Sequence, residues 1–460
     1  MFNQAQMREN MALLVDLYEL TMAQCYFKER KSAWATFDLF IRPTQTGRCF
    51  YLAAGLEDIA LFLKDLKFSE DSLDYLVKER SFTPEFLDYL KDFKFCGDLS
   101  ALEEGTVFFA NEPVIRVTAP IIEAQIIESA LLNTINLQTT IASKAARVVL
   151  AAQDRPVYDF SLRRTQGPDA ALKAARSSYI AGCSGTSNCL AGFLYKIPIA
   201  GTMAHSFVMS FKNELEAFRV FAENFPDGSI LLVDTYDNIK GIKNAIIVAK
   251  ELGKSGHQLK AIRLDSGNLT RTSILARRLL DKEGLSYVKI FASGNLDEYK
   301  IQNLIKRGAR IDSFGVGTNM GVSTDAPYSD VIYKLCEVAD SENKFLPTMK
   351  LSQGKVTYPG RKQVFRIRNR NGIFLKDIIG LEDEEIEGNP LLVKVFDRGR
   401  LVYDLPSVDN IRKRAKDNLE SLSSRLKSIS CRSSYKVGLS PGLEKLTQNL
   451  AKKLAQMGTD

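Results

Sequence analysis

Ile197-Pro-Ile-Ala-Gly-Thr-Met-Ala-His205-Ser-Phe-Val-Met-Ser210 is the stretch from which the fold can be read. A short apolar run reaches Ala200, Gly201 and Thr202 form a turn, and His205 stands where the chain would enter a helix. A strand that hands over to a helix through a polar residue is the repeating step of an α/β protein. Such proteins set their reacting groups just past strand C-termini. The chain has only two histidines in 460 residues. The plain alternative is a buried histidine with both ring nitrogens satisfied, and the flanking segments weigh against it.

Upstream, Pro156-Val-Tyr-Asp-Phe160 reads as a strand followed by a helix over 168–181. Downstream, strand 197–200 is followed by helix 211–225, strand 229–233 by helix 239–252, and strand 259–264 by helix 269–282. Strand 288–292 precedes helix 298–307, and strand 311–314 ends in Gly-Val-Gly. Such alternation predicts a parallel sheet or barrel over 120–330. The strand ends deliver, in order, Ser161-Leu-Arg-Arg164, His205, Asp234-Thr-Tyr-Asp237, Asp265-Ser-Gly267, Ser293-Gly-Asn295 and Gly315-Val-Gly-Thr-Asn319. In a (β/α) barrel all of these open on one rim.

Their chemistry is coherent. Glycine-rich turns before helices offer N–H groups to a phosphate. Asp234 and Asp265 are hard oxygen groups for Mg²⁺ or ribose hydroxyls, and Arg163, Arg164 and Arg263 can pair with carboxylate or phosphate. Each alone reads equally as a turn or a cap; together they predict an enzyme that binds a phosphosugar. No P-loop, helix-opening Gly-x-Gly-x-x-Gly or Gly-x-Ser-x-Gly elbow occurs, which disfavours a P-loop NTPase, a Rossmann dehydrogenase and an α/β-hydrolase.

Residues 1–119 read as an α+β domain. It has an amphipathic helix over 11–27 (Leu13, Leu17, Leu20 and Gln24 on one face), a strand over 35–41 and a basic loop from Arg42 to Arg48. The β-rich stretch of about 331–404 is expected to complete that domain, and 405–460 to form a basic helical tail. Lys plus Arg number 62 against 55 acidic residues, a net +7 that suits small anionic substrates and is too modest to argue for nucleic acid. Seven scattered cysteines without a Cys-x-x-Cys pair read as reduced thiols with no structural zinc. The N-terminus lacks a signal-peptide core and no apolar run is long enough to span a bilayer, so a cytoplasmic protein with no membrane partner is expected.

A set of segments then resembles one family, nicotinate phosphoribosyltransferase. They are Asp16-Leu-Tyr-Glu-Leu-Thr-Met22, Ala53-Ala-Gly-Leu-Glu57, Asp159 through Arg164 to Gly167-Pro-Asp-Ala-Ala171, and Gly185-Thr-Ser-Asn188. Gly201-Thr-Met-Ala-His-Ser206, Arg263-Leu-Asp-Ser-Gly267, Gly315-Val-Gly-Thr318 and Val437-Gly-Leu-Ser-Pro441 continue the series in order, so the resemblance covers about 11–441. It implies an α/β fold with an irregular (β/α) barrel of the type II phosphoribosyltransferase kind, beside an α+β domain built from both chain ends. It also implies a reaction: nicotinate plus 5-phosphoribosyl 1-pyrophosphate giving nicotinate mononucleotide and pyrophosphate, coupled to ATP hydrolysis and assisted by Mg²⁺. His205 is implied as a transient phosphohistidine, Asp234 as the residue that orients it, and Asp265 as the ribose or Mg²⁺ contact. Arg263, Ser293, Gly294, Gly315, Gly317 and Thr318 are implied around the phosphoribosyl group. Tyr18, from the second subunit of a homodimer, and Phe160 would sandwich the pyridine ring, with Arg163 facing its substituent. Ser187 stands where relatives that use nicotinamide carry an aspartate, and without that charge the acid is favoured. Arg42 and Arg48 would reach the pyrophosphate, although Pro-Thr-Gln-Thr-Gly departs from the usual spacing there, as Ser161 departs from the commoner glycine. The readings that compete with this one are a nicotinamide phosphoribosyltransferase and a non-catalytic phosphosugar-binding barrel.

Overall fold

The computed structural model describes residues 4–43, 48–79, 81–339, 344–351, 357–431 and 433–457. The chain divides into two compact units, 1–140 with 328–460, and 141–327. The sequence sets the junction at 119/120; the chain passes from one unit to the other between residues 140 and 141, inside the helix Glu128–Ala152. That helix is preceded by a separate one, Ile121–Ile126, the two being interrupted at Ile127.

In the first unit, a seven-stranded antiparallel sheet runs in the order Phe345–Pro347, Val331–Ala339, Trp34–Ile41, Pro113–Pro120, Asp98–Leu102, Leu392–Asp397 and Arg400–Leu401. Val331–Ala339 and Leu392–Asp397 therefore return to strands from the N-terminal part of the chain. A four-stranded sheet adds Asn389–Pro390, Lys362–Arg368, Phe374–Leu381 and, running parallel to the last of these, Val437–Leu439. The tail is therefore not helix alone. Its helices Val408–Glu420 and Pro441–Met457 flank a sheet strand, and they bury Ile411, Ala415, Leu419 and Leu443.

Two further expectations need correction in this unit. The helix expected over 11–27 begins at Leu17, after a separate 3-10 turn at Met11–Leu13, and its buried face is Glu19, Leu20 and Ala23; Leu17 is 63% exposed. The cysteines are not all free. Cys49 and Cys431, 382 positions apart, form a disulfide with their Cα atoms 6.3 Å apart, while Cys25, Cys96, Cys183, Cys189 and Cys336 remain thiols.

The second unit is built on six parallel strands in the order Gly185–Thr186, Val157–Asp159, Ser313–Val316, Lys289–Ala292, Ala261–Leu264 and Ile230–Leu232. Their apolar residues (Val157, Leu231, Ile262, Leu264, Ile290, Phe314, Val316) are buried, as a sheet covered on both faces requires. Helices follow the strands, and five of them start on an Asn or Asp whose side chain accepts from a first-turn N–H: Asn188, Asn213, Asp237, Asn268 and Asp297. Asp237 is thereby accounted for as a cap.

The segment 197–200 is not a full strand. Pro198 has no N–H to give a ladder, so the run is held at two points: Thr186 N donates to Pro198 O at 3.0 Å, and Ala200 N to Thr186 O at 2.9 Å. Backbone pairing does not continue from there to Ile230–Leu232. Among the described residues the sheet is open, and closure into a barrel is not seen. Side chains bridge the gap instead.

Candidate active site

Those side chains stand at the C-terminal ends of the six strands. Arg263, the third residue of its strand, lies at the centre of the bridge. Its Nη1 donates to Thr202 Oγ1 at 2.8 Å and to Met203 O at 3.3 Å, in the turn just before His205. Its Nη2 bonds Asp265 Oδ1 at 2.7 Å, and its Nε bonds Ser293 Oγ at 2.8 Å. The guanidinium also lies 5.8 Å from the centre of the Phe160 ring. One fork-shaped cation thus fixes the positions of three loops. The sequence offers Arg263 as a phosphate ligand, but the fold commits each of its nitrogens to protein acceptors.

Asp265 accepts from Ser293 Oγ as well as from Arg263. Burial pushes its carboxyl up. The bond from Ser293, the bond and charge of Arg263 and the charge of His205 outweigh that, leaving the pKa below the ordinary aspartate value. Asp265 is therefore a carboxylate at neutral pH.

His205 opens the short helix His205–Met209, and its Nδ1 lies 3.1 Å from Thr235 Oγ1. The expected partner, Asp234, is engaged elsewhere: its Oδ2 accepts from Asp265 N at 3.1 Å and from Ser266 Oγ at 2.6 Å. Neighbouring residues leave a strand end in different directions, so Thr235 meets the ring while Asp234 turns to the adjacent loop. Asp234 Oδ1 is buried without a hydrogen-bond partner.

The glycines divide into two kinds. Gly294 has φ +94°, and a Cβ there would lie 1.8 Å from Asp265 O, so only glycine lets the 293–295 turn pass the Asp265 backbone. Gly315 is not in a turn at all. It sits within strand Ser313–Val316, where a Cβ would lie 2.6 Å from Phe160 Cε2 and 2.8 Å from Phe291 Cε1. Its lack of a side chain makes room for the stacked Phe160–Phe291 pair, whose centroids are 5.6 Å apart. Gly317 precedes the short helix Thr318–Gly321. Asn319, which the sequence reading passes over, latches this loop to its neighbour by donating to Asn295 O and Oδ1 and to Leu296 O at 2.9–3.2 Å.

At the first strand end, buried Asp159 accepts from Ser161 N and Oγ and from Thr186 Oγ1. Burial raises its pKa by more than those bonds lower it. Ser161 fills the place of the commoner glycine by making one of these bonds. Ser187 follows, half-buried, with its N–H on Asp159 O at 2.8 Å. Arg163 is exposed on a short 3-10 turn.

The remaining expected residues belong to the first unit. Tyr18 is 48% exposed, and burial together with Glu128 and Glu19 raises its pKa. Arg42 pairs with Asp330 at 3.6 Å. Arg48 is buried, with Nη1 on Thr140 O at 3.3 Å. The four residues 44–47 of this loop lie outside the described residues. Among the described residues no group of three or more His, Cys, Asp or Glu side chains is arranged to hold a metal ion, and no helix is long and apolar enough to cross a membrane.

Three family models match the chain: the nicotinate phosphoribosyltransferase N-terminal domain over 13–136, the nicotinate phosphoribosyltransferase family over 156–344, and the C-terminal domain over 386–447. A nicotinate phosphoribosyltransferase of Mycobacterium tuberculosis is 48% identical across 91% of this chain and 89% of its own. The chain belongs to the nicotinate phosphoribosyltransferase family. Another member, from Bacillus subtilis, is 38% identical over 94% of this chain and 93% of its own. The crystal structure of human nicotinic acid phosphoribosyltransferase superposes with a TM-score of 0.84 at 28% identity, covering 95% of this chain and 99% of that one. Membership makes the chain an enzyme of the phosphoribosyl-transfer class, and the likeness extends over both compact units.

Proposed function

We infer that this enzyme joins nicotinate to 5-phosphoribosyl 1-pyrophosphate, releasing pyrophosphate and forming nicotinate mononucleotide, the first step of NAD salvage from nicotinate. The observation that carries the reading is the Arg263 bridge, which draws the His205 turn, Asp265 and Ser293 to one rim. Asp265, ionised, is suited to the ribose hydroxyls and to the positive charge that grows on the sugar as pyrophosphate leaves. The turn at Ser293 and Gly294, with Gly317 and Thr318, offers backbone N–H groups to the 5′-phosphate. Phe160, flat against Phe291, presents an aromatic surface for the pyridine ring, with Arg163 and uncharged Ser187 as the groups that favour a carboxylate substituent.

ATP is the proposed third substrate. With Nδ1 turned to Thr235, Nε2 of His205 is the nitrogen that would attack the terminal phosphorus, releasing ADP; water later cleaves the phosphoimidazole. The hard oxygens present, Asp265 and the unpartnered Asp234 Oδ1, suit Mg²⁺ arriving with the diphosphate, where it would offset the charge of the leaving group. The exposure of Tyr18 supports its use by a second subunit in a homodimer. Cytoplasmic residence fits these soluble substrates.

The test is turnover with nicotinate and with nicotinamide, each with and without ATP labelled in its terminal phosphate. Mononucleotide from nicotinate, with acid-labile label absent from His205→Ala, is expected. Preference for nicotinamide would overturn the substrate assignment, and label retained in His205→Ala the phosphohistidine.

A further inference from the structure

The Cys49–Cys431 disulfide joins two very different pieces of chain within the first unit. Cys431 is 5% exposed and sits on anchored ground. Four residues on, Tyr435 stacks on Phe109 with centroids 3.6 Å apart and donates to Asp377 Oδ1 at 2.9 Å; Asp377 in turn is held by Arg366. Cys49 is half-buried and lies between two contrasting neighbours. On one side Phe50 is buried and Tyr51–Leu52 pairs with Val107–Phe108. On the other, Arg48 is 8% exposed with Nη1 on the Thr140 carbonyl. A guanidinium so withdrawn is poorly placed to meet a solvent-borne anion, yet Arg48 is one of the two arginines that the family resemblance assigns to pyrophosphate.

We propose that Cys49–Cys431 is a reversible thiol–disulfide site that controls Arg48. While the bond is closed, residue 49 is fixed to the C-terminal segment and Arg48 stays inward on Thr140. Opening it releases Arg48 to pair with a diphosphate. The reductant is a low-molecular-weight thiol or dithiol. Its thiolate attacks the sulfur of Cys49, the less buried of the two residues, and breaks the S–S bond; Cys431 leaves as a thiolate and takes a proton. A second thiol attacks the mixed disulfide, so two thiols are oxidised to one disulfide while the protein gains two thiols. The inference rests on the proposed function only in supplying a diphosphate, and on the family resemblance in assigning it to Arg48.

Its test uses the full chain equilibrated with oxidised glutathione or with dithiothreitol. Three things are measured: the Cys49–Cys431 cross-linked peptide, calorimetric binding of inorganic pyrophosphate, and KM and kcat for 5-phosphoribosyl 1-pyrophosphate. Reduction is expected to lower both Kd and KM about tenfold, the worth of one charged hydrogen bond, with kcat changing much less. Cys431→Ser should match the reduced protein under both conditions, and Arg48→Ala the oxidised one. An absent cross-link under oxidising conditions, or equal pyrophosphate affinity in the two states, overturns the proposal. If Cys431→Ser fails to fold, the wild-type comparison decides alone. If neither state converts nicotinate, the functional reading fails, while pyrophosphate binding still decides this one.

Discussion

The two ends of the parallel sheet in residues 141–327 are both rich in charge, yet they are organised differently. At the N-terminal end, the residues leading into Val157–Asp159 and Ser313–Val316, with the last turns of helix Leu269–Lys282, surround an open cavity of about 920 Å³. Arg155, Arg277, Arg278 and Arg310 line it together with Asp154, Asp281 and Asp312. Its best-anchored arginines hold the chain itself: Arg277 bonds Asp281, Val288 O and Leu285 O, and Arg155 bonds Ile311 O. At the C-terminal end, side chains from different strands bond to one another, and a glycine is forced by backbone passing backbone. Cavity volume and arginine content alone would point to the N-terminal end, opposite the rim proposed as the active site. What favours the C-terminal rim is cross-linking between strand termini, because that fixes groups distant in sequence to the tolerance a reaction needs.

The sharpest way to break this comparison is by rate. His205→Ala should lower ATP-driven formation of nicotinate mononucleotide about 10²–10⁴-fold, the range for losing a group that takes part in proton or phosphoryl transfer. Arg278→Ala with Arg310→Ala, at the other end, should leave initial rates within about twofold. A reversal of these two results would transfer the active site to the cavity.

Stability separates the ends next. Gly294→Ala forces a Cβ to 1.8 Å from Asp265 O at φ +94°, and about 3 kcal/mol or more of destabilisation is expected. Gly284, at the other end, has φ +74° with nothing within 4 Å of where a Cβ would stand, and alanine there should cost about 1 kcal/mol from backbone conformation alone. Denaturant midpoints measure both. Equal losses would mean that the close approach of the two loops does not constrain the rim.

A smaller effect tests the histidine's partner. Thr235→Val removes the hydroxyl 3.1 Å from His205 Nδ1 and should lower turnover about tenfold, with Thr235→Ser restoring most of it. An unaffected Thr235→Val would leave the ring's orientation to other contacts.

Much of this was legible in the sequence. Apolar runs of four or five residues, each followed by a helical pattern, announce the parallel sheet, and the polar residues quoted at the strand ends include Arg263, Asp265 and Ser293, which the fold bonds together. Where the reading failed, the missing information was direction or distance. Asp234 and Thr235 are adjacent, and no spacing rule says which of them meets His205. Arg263 reads as a free cation until its acceptors are known. Gly315 reads as a turn, although it lies inside a strand beneath two aromatic rings. Thr202, Ser266 and Asn319 carry generic polar groups, so only the fold gives them meaning. The Cys49–Cys431 bond crosses 382 positions and leaves no local pattern.

The smallest predicted effect lies within the rim itself, between two aspartates of opposite electrostatic setting. The Asp265 pKa is lowered below the ordinary value in the folded state, so its contribution to stability is present above the unfolded-state pKa of about 3.9 and is lost as pH falls through the folded value. The Asp159 pKa is raised, chiefly by burial. Between the unfolded and folded values the unfolded chain has given up this proton and the folded one has kept it, so stability falls as pH rises through that interval. Denaturant midpoints taken across about pH 3 to 6 should therefore show Asp265→Asn removing a rise and Asp159→Asn removing a decline. If both substitutions changed the slope in the same direction, the bond from Ser293 and the bond and charge of Arg263 would not be what distinguishes Asp265. The bridge would then hold the loops together without setting the ionisation of the carboxylate that the reaction is proposed to use.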